Sequence, residues 1–513
     1  SVARATSKFL LSRQIKKKNQ DNPFVSILAD IYSSAHELDS AAVVLKNVIK
    51  LDSTDINAYY ILARIYELSK PMEAINIYNR LTSIIGPDWN VLIHVTNLYV
   101  KLGKYAEAAG TINKLLTISP SNTSLEKLQA DYYGRAKMYK KALFAINDVL
   151  EFLPNDLDAH QRKAEIFIAQ DKWKKAAKEY SFIIKQNNVS FRTKLQIGAS
   201  YFNQALKDST LFPIVHKFFK TIEKDTSSWQ TKMYLGAIAI AQKNDSIAVK
   251  DFKIALKLAK WNVEPWVRLG GLYFDNHKYN AAIKLLKGAF KSFPEDFRVN
   301  LILGLSLAQK GNNKDARKYL KRAVEVNPKD ITALSAYGYT LSRLKENEEA
   351  IKYLKKALVI SPNNINLLST LGLIYDSESK WALCDSVYQK ALSIDPTNAL
   401  VLNNYAYSLS ERGIKLDSAL NMAKKAIKAE PKNSSYLDTV GWIYYRLKEY
   451  QNAKEYVQKA VQIGGHDSVM LEHLGDINYK LGQKEKALNL WKKAFKMDTT
   501  NKKLKLKIEK GKI

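Results

Sequence analysis

Residues 263–296 read VEPWVRLGGLYFDNHKYNAAIKLLKGAFKSFPED. Pro265 suits the first turn of a helix, where its missing N–H costs nothing. Trp266, Leu269, Gly270 and Tyr273 follow at spacings of three, one and three, so they share one helical face. Asn276, His277 and Lys278 supply a turn. Ala282, Leu286 and Ala289 then mark the inner face of a second helix, and Pro294 stops it. Gly270 and Ala282 are small because two antiparallel helices must approach closely there. Larger side chains would hold the hairpin open.

The same pattern returns on either side. Small residues recur at Gly270, Gly304, Gly338, Gly372, Ala406, Gly441 and Gly475, spaced by 34, 34, 34, 34, 35 and 34. Pro294, Pro328, Pro362, Pro396 and Pro431 keep step with them. A fixed period of this length predicts a solenoid in which each unit is one helical hairpin.

The set Trp266, Leu269, Gly270, Tyr273, Ala282, Leu286, Ala289 and Pro294 resembles the tetratricopeptide repeat. Leu303, Gly304, Ala316, Leu320, Ala323 and Pro328 fit the same frame. Weaker copies stand at Tyr99, Ala108, Leu115 and Pro120, and at Tyr133, Ala142, Val149 and Pro154. The resemblance covers nearly the whole chain. It implies an all-α fold, an α-solenoid superhelix of about fourteen hairpins over residues 23–499. It also implies a non-enzymatic scaffold that binds proteins.

Within that frame the chain divides into regular arrays over 23–190 and 229–499, separated by 191–228. That middle unit starts properly at Gly198 and Tyr201, but no small residue follows at the expected distance. Lys207–Thr210 lengthens the turn, and Pro213 opens a helix with Val215, Phe219 and Ile222. We expect it to join the arrays at an altered angle. Residues 500–513 alternate Lys with Leu504, Leu506 and Ile508, and read as a helix covering the end of the stack, with a frayed basic tail. Residues 1–22 read as a basic cap through Phe9, Leu10, Leu11 and Ile15, or as the remnant of an upstream repeat.

Apolar residues form 46% of the 513, which excludes wholesale disorder. No run of 18 apolar residues is present, so no helix is long and apolar enough to cross a membrane. Cys384 is the one cysteine, at a position that sister units fill with alanine, so it reads as a packing residue. Ser1 opens the sequence without an apolar leader, as after removal of a signal peptide or inside a longer chain. The net charge is +30, of which residues 1–20 carry six bases and 501–513 six lysines against Glu509. The rest is spread out as a basic surface.

The resemblance places first helices on the inner face of the stack. The core takes Leu334, Tyr337, Gly338 and Leu341, so the face one residue on lines a groove: Ser335, Tyr339 and Ser342, then Ser369, Leu373 and Asp376. It continues as Asn403, Tyr407 and Ser410, then Asp438, Trp442 and Tyr445, then Glu472, Asp476 and Tyr479. Exposed Tyr and Trp give large contact area at low entropic cost, so the pattern suits capture of a partner segment, apolar with some positive charge. Packing of Tyr339, Tyr407 and Trp442 on neighbouring helices is the ordinary alternative. Some relatives hold a C-terminal carboxylate with a Lys–Asn–Arg clamp; Arg64 and Lys127 lack the matching residues, which disfavours that ligand.

Second helices carry Lys318, Lys321, Arg322, Lys352, Lys355, Lys356, Lys424, Lys425 and Lys428 away from their core faces. A solvated lysine face is the ordinary reading. The alternative is contact with an anionic membrane surface or with RNA. We expect no base-stacking aromatics among these lysines, which disfavours nucleic acid. Phosphate-loop, dinucleotide and zinc-protease motifs are all missing, so no catalytic site, cofactor, metal or small-molecule substrate is expected. His466 and His473 lie near Asp467, Glu472 and Asp476, but three of these five share one ordinary repeat helix. The C-terminal repeats look like those of bacterial envelope-attached scaffolds. That resemblance favours a multiprotein assembly in the periplasm or envelope, with the cytoplasm as the alternative.

Overall fold

The computed structural model describes residues 37–464 and 467–513, with Tyr32. The expected N-terminal cap over 1–22 and His466 lie outside the described residues. Among the described residues all regular structure is helical. Contacts divide the chain into two compact units, Ser1–Ala248 and Val249–Ile513, and the division falls inside the helix Asp245–Leu258.

Each unit is a succession of hairpins. The first unit contains five, from Ile56–Ser69 with Pro71–Ile85 to Phe191–Ala205 with Phe212–Asp225. The helix Leu38–Leu51 precedes them. The second unit contains seven, from Val263–Asp275 with Tyr279–Ser292 to Ser468–Lys480 with Lys484–Met497. The helices Trp229–Ala241 and Asp245–Leu258 lie between these sets along the chain, and the helix count among the described residues roughly matches the expected array of about fourteen hairpins.

Two local devices make each hairpin. First helices open on a side-chain cap: Asn262, Asp296, Asp330, Asn364, Asn398, Asn433 and Asp467 each accept a backbone N–H of the following turn. The same occurs in the first unit at Asp55, Asp88, Asn122, Asp156 and Ser190. The link to the second helix is a tight turn with one left-handed residue, such as His277 at φ 55° or Lys345 at φ 61°.

The small residue works as the sequence suggests. A Cβ added to Gly270 would stand 2.7 Å from Leu286, at Gly304 2.6 Å from Leu320, and at Gly338 2.8 Å from Leu354. At Gly372 and Gly475 the opposing groups are the rings of Tyr388 and Trp491, both fully buried. Each of these five hairpins therefore closes by seating one large side chain, sixteen residues on, against a bare backbone. Full burial of such a side chain contributes about 1.5–3 kcal/mol. In the second unit Leu286, Leu320, Leu354 and Tyr388 belong to one continuous core that runs from Val267 to Ile477, while Trp491 packs in a cluster with Leu471, Ala487, Ala494 and Leu504.

The irregular hairpin lies within the first unit. A 3₁₀ turn at Ser209–Leu211 precedes Phe212–Asp225, and Phe219 lies against Gly198, so the Gly-versus-large contact survives at a longer spacing. At the C-terminus, Lys502–Lys510 is a helix. Leu504 packs on Leu471, Ala487, Trp491 and Ala494, with Ile508 beside it. Leu506, expected to share that cover, is instead exposed, because a helical register of four selects 504 and 508 and turns 506 away.

Candidate groove of the C-terminal hairpins

First helices of successive hairpins touch one another in the second unit: Ile365–Ser377 with Ala399–Arg412, that helix with Ser434–Arg446, and that in turn with Ser468–Lys480. Their shared face is therefore one surface, and the candidate residues lie along it in register.

The register is common, but the exposure is not. Tyr339 is 49% exposed and Leu373 50%, as a contact surface requires. Tyr339 and Ser335 line a recess of about 670 Å³ with Gln309, Arg343, Asn366 and Thr370. Further along the face closes. Tyr407, Tyr445, Glu472 and Tyr479 are half-buried, while Asn403, Asp438, Trp442 and Asp476 are buried.

Trp442, read as an exposed contact residue, is 8% exposed. Its indole stacks on His473 at 3.9 Å and on Tyr445 at 4.6 Å, and its N–H donates to Glu411 Oε1 at 2.5 Å. Neighbouring repeats supply both the lid and the acceptor. His473 Nδ1 in turn lies 2.9 Å from Asp438 Oδ2. Burial alone would depress this imidazole. It is outweighed by the charge and hydrogen bond of Asp438, then by Asp476 and Glu411, and the net shift is upward.

Lys507 forms the next rung. Its ammonium donates to Glu472 at 2.8 Å and to Asp476 at 2.6 Å, and Trp491 Nε1 donates to the other oxygen of Asp476 at 2.9 Å. The expected C-terminal capping helix thus places one of its lysines against two of the candidate groove residues. Burial lifts the Asp476 carboxyl above its usual range, against the pull of Lys507.

Around Tyr407 the acids converge. Burial, then Glu411, Asp438, Asp376 and Glu472, push its phenol well above the ordinary value. Asp376 itself accepts from Ser408. Two buried acceptors on this face have no hydrogen bond: Asn403 Oδ1 and Asp438 Oδ1. The arrangement gathers negative charge and aromatic rings.

The remaining sequence readings fall into place. Cys384 is fully buried, 3.6 Å from Ser408 Oγ, and burial pushes its thiol up to about 11, which fits a packing role. Lys127 pairs with Asp156 and Asp158 at 3.0 and 3.1 Å, and Arg64 is exposed. Among the described residues, no group of three or more His, Cys, Asp or Glu is placed to hold a metal ion. One expectation about the outer wall is corrected. Aromatics do interleave with its lysines: Lys318 lies over Phe290 and Tyr319, Lys356 over Tyr353, and Lys459 over Tyr456. These rings sit half-buried, one residue from the core positions.

Sequence reasoning placed no site in the first unit. There a recess of about 970 Å³ is lined by Lys46, Tyr59, Tyr66 and Arg80, with Lys46 and Lys70 over the Tyr66 ring. The recurrence of Lys and Tyr at neighbouring turns was its only sequence signal.

Models of the tetratricopeptide repeat match residues 267–330, 303–365, 387–421 and 435–463. A model described as ChAPs (Chs5p-Arf1p-binding proteins) matches residues 4–180. A TPR repeat-containing protein of Methanocaldococcus jannaschii is 36% identical over 110 residues, 21% of this chain and 19% of that protein. One of Pseudomonas aeruginosa is 33% identical over 78 residues, 15% of this chain and 13% of the relative. The chain thus spans less than a fifth of the length of either relative in these matches. Among solved structures, the APC/C hetero-tetramer Cut9-Hcn1 aligns with 95% of this chain and 96% of its own at 12% identity and a TM-score of 0.43. A tetratricopeptide repeat protein from Parabacteroides merdae aligns with 48% of this chain and 98% of its own at 19% identity, also with a TM-score of 0.43. The matched repeats coincide with the hairpins whose glycines, caps and turns are described above, and the chain is a tetratricopeptide-repeat protein.

Proposed function

We propose that this protein is a non-enzymatic scaffold that holds segments of partner polypeptides on its first-helix face, as part of a multiprotein assembly. The observation that carries this reading is the exposure of Tyr339 and Leu373 beside a recess of about 670 Å³. Tyr339 lines that recess and Leu373 lies at the same register of the next first helix, so together they suit contact with a partner segment. The repeat family supports protein partners in general, and the match of residues 4–180 to a family described as Chs5p-Arf1p-binding proteins supports the same for the first unit.

On the outer wall the lysines add attraction to anionic surfaces that falls with salt. The rings between them already carry lysine ammoniums on their faces, so they offer no open platform for bases.

A displayed library of random 15-residue peptides, selected on the full chain, tests the proposal. Selected peptides should lose on the order of tenfold in affinity, or more, for the double variant Tyr339→Ala, Leu373→Ala with helicity unchanged. Peptides that bind the double variant equally well would place the contact elsewhere and remove this reading.

A further inference from the structure

Arg343 ends the first helix Ile331–Arg343 and lines the open recess of about 670 Å³ beside Tyr339. It is the one charged side chain in that lining, where the other groups are apolar, amide or hydroxyl. The second unit holds seven arginines. Arg268, Arg298, Arg317, Arg322 and Arg412 each pair with a carboxylate, and Arg446 donates to the backbone of Glu411. Among the described residues, Arg343 alone of the seven makes neither contact. It is exposed, so water satisfies it in the free protein at no cost. What it sets is the sign of the recess.

The shape of the recess follows one helix. Thr332, Ser335, Tyr339 and Arg343 line it at spacings of three, four and four, which is a single face. Thr332 to Arg343 spans about 16 Å at the helical rise, room for about five residues of extended polypeptide. Gln309 and Asn366, from the helices on either side, add amides that can both donate to and accept from a peptide backbone. Gln309 holds the register of Arg343 one repeat earlier, and Gly311, two residues further on, also lines the recess. A Cβ there would meet nothing within 4 Å, so the chain of a bound segment can run on past Arg343 at that end.

We infer that the segment bound along Ile331–Arg343 carries an aspartate or glutamate side chain, which accepts hydrogen bonds from the Arg343 guanidinium while a neighbouring apolar residue lies on Tyr339. The guanidinium fork matches a carboxylate, and no acid in the lining competes for it. A lysine or arginine of the partner would meet an unopposed like charge. The open end favours a side chain within the segment over a terminal carboxylate, which would require the chain to stop there. This inference rests on the proposed peptide-binding role of the face and adds the chemistry of one anchor.

The test uses the full chain and one peptide from the selection above, made with an amidated C-terminus and with Glu, Gln or Lys at each position in turn. For wild type, one position should favour Glu over Gln by about three- to tenfold, the range between an exposed ion pair and a charge-assisted hydrogen bond. Added salt should shrink that ratio. Arg343→Gln keeps a donor and removes the charge, and should bring the ratio close to one. Arg343→Glu should turn the preference at the same position to Lys. Both variants alter an exposed side chain without protein partners, so their melting should match wild type. A preference for Glu that survives both variants, or is absent from wild type while binding still depends on Tyr339 and Leu373, overturns the anchor and leaves the contact face standing. Peptides that bind only with a free C-terminal carboxylate also overturn it. Peptides indifferent to the double variant Tyr339→Ala, Leu373→Ala remove both readings.

Discussion

Tyr339 and Trp442 hold the same place in their helices, one residue after Gly338 and Gly441, yet Tyr339 is 49% exposed and Trp442 only 8%. The difference comes from the next repeat. Two residues before its small residue, the repeat after Trp442 presents His473, whose imidazole covers the indole at 3.9 Å. The repeat after Tyr339 presents Thr370 there, whose hydroxyl turns back to its own helix at Asn366 O and leaves the recess open. Asp438, which orients His473, has Ser335 as its counterpart three residues before Gly338. A shared backbone register thus yields an open binding face or a closed, charged one according to two or three side chains.

The largest expected effect breaks the closed region. Trp442→Ala removes the stack on His473 and Tyr445 and leaves Glu411 without its indole donor. Truncation of a buried tryptophan costs about 3–5 kcal/mol. Tyr339→Ala, at the same register in the open region, should stay within about 0.5 kcal/mol. Repeat arrays open locally, so the measurement is hydrogen exchange resolved along residues 434–480 and 331–377, with denaturant melts beside it. Equal protection losses for the two variants would mean that the contrast in exposure has no energetic content.

The architecture was legible because it is periodic and local. Gly270, Tyr273, Ala282 and Pro294 each report on contacts inside one hairpin, and the structure repeats those contacts wherever the spacing does. A further local signal, the Asp or Asn that caps each of the seven first helices from Val263 onward, recurs with the same period and would have fixed helix starts to the residue. The candidate face was legible only as a register. Whether Trp442 is open depends on a residue thirty-one positions later, and a helical wheel contains nothing about that neighbour. The contacts of Lys507 went unread for the same reason. Within residues 501–513 it is one lysine among six, and only the packing of Leu504 and Ile508 on the last hairpin carries it to Glu472 and Asp476.

A second effect sharpens the comparison through pH. The fold raises His473 above its ordinary 6.5, so native protein binds that proton more tightly than unfolded chain does. The resulting stabilisation is complete below pH 6.5 and is lost as the pH rises through the raised folded value. Between about pH 6 and pH 9, the range below the titration of Lys507, protection of residues 434–480 should therefore fall, while the Tyr339 region stays flat. His473→Gln keeps a donor toward Asp438 and removes the titration, so its protection should lose this slope. A wild-type profile that rises with pH would show that the imidazole is held neutral against Asp438.

The smallest effect comes from building the closed face where the open one stands. Thr370→His alone sets an imidazole against Tyr339 without a carboxylate to orient it, and an aromatic pair of this kind adds at most about 0.5–1.5 kcal/mol. Part of that is offset by the rotamer freedom lost on ordering both rings, so a gain of under about 1 kcal/mol is expected. With Ser335→Asp added, the pair repeats the Asp438–His473 geometry by register, and the two changes should stabilise more together than their separate effects predict. The double variant should also acquire the pH slope of the C-terminal hairpins and weaken peptides that use Tyr339, because the recess they enter is filled. Strict additivity, with peptide affinity intact, would show that exposure on this face is set by the curvature of the backbone and not by the residue opposite.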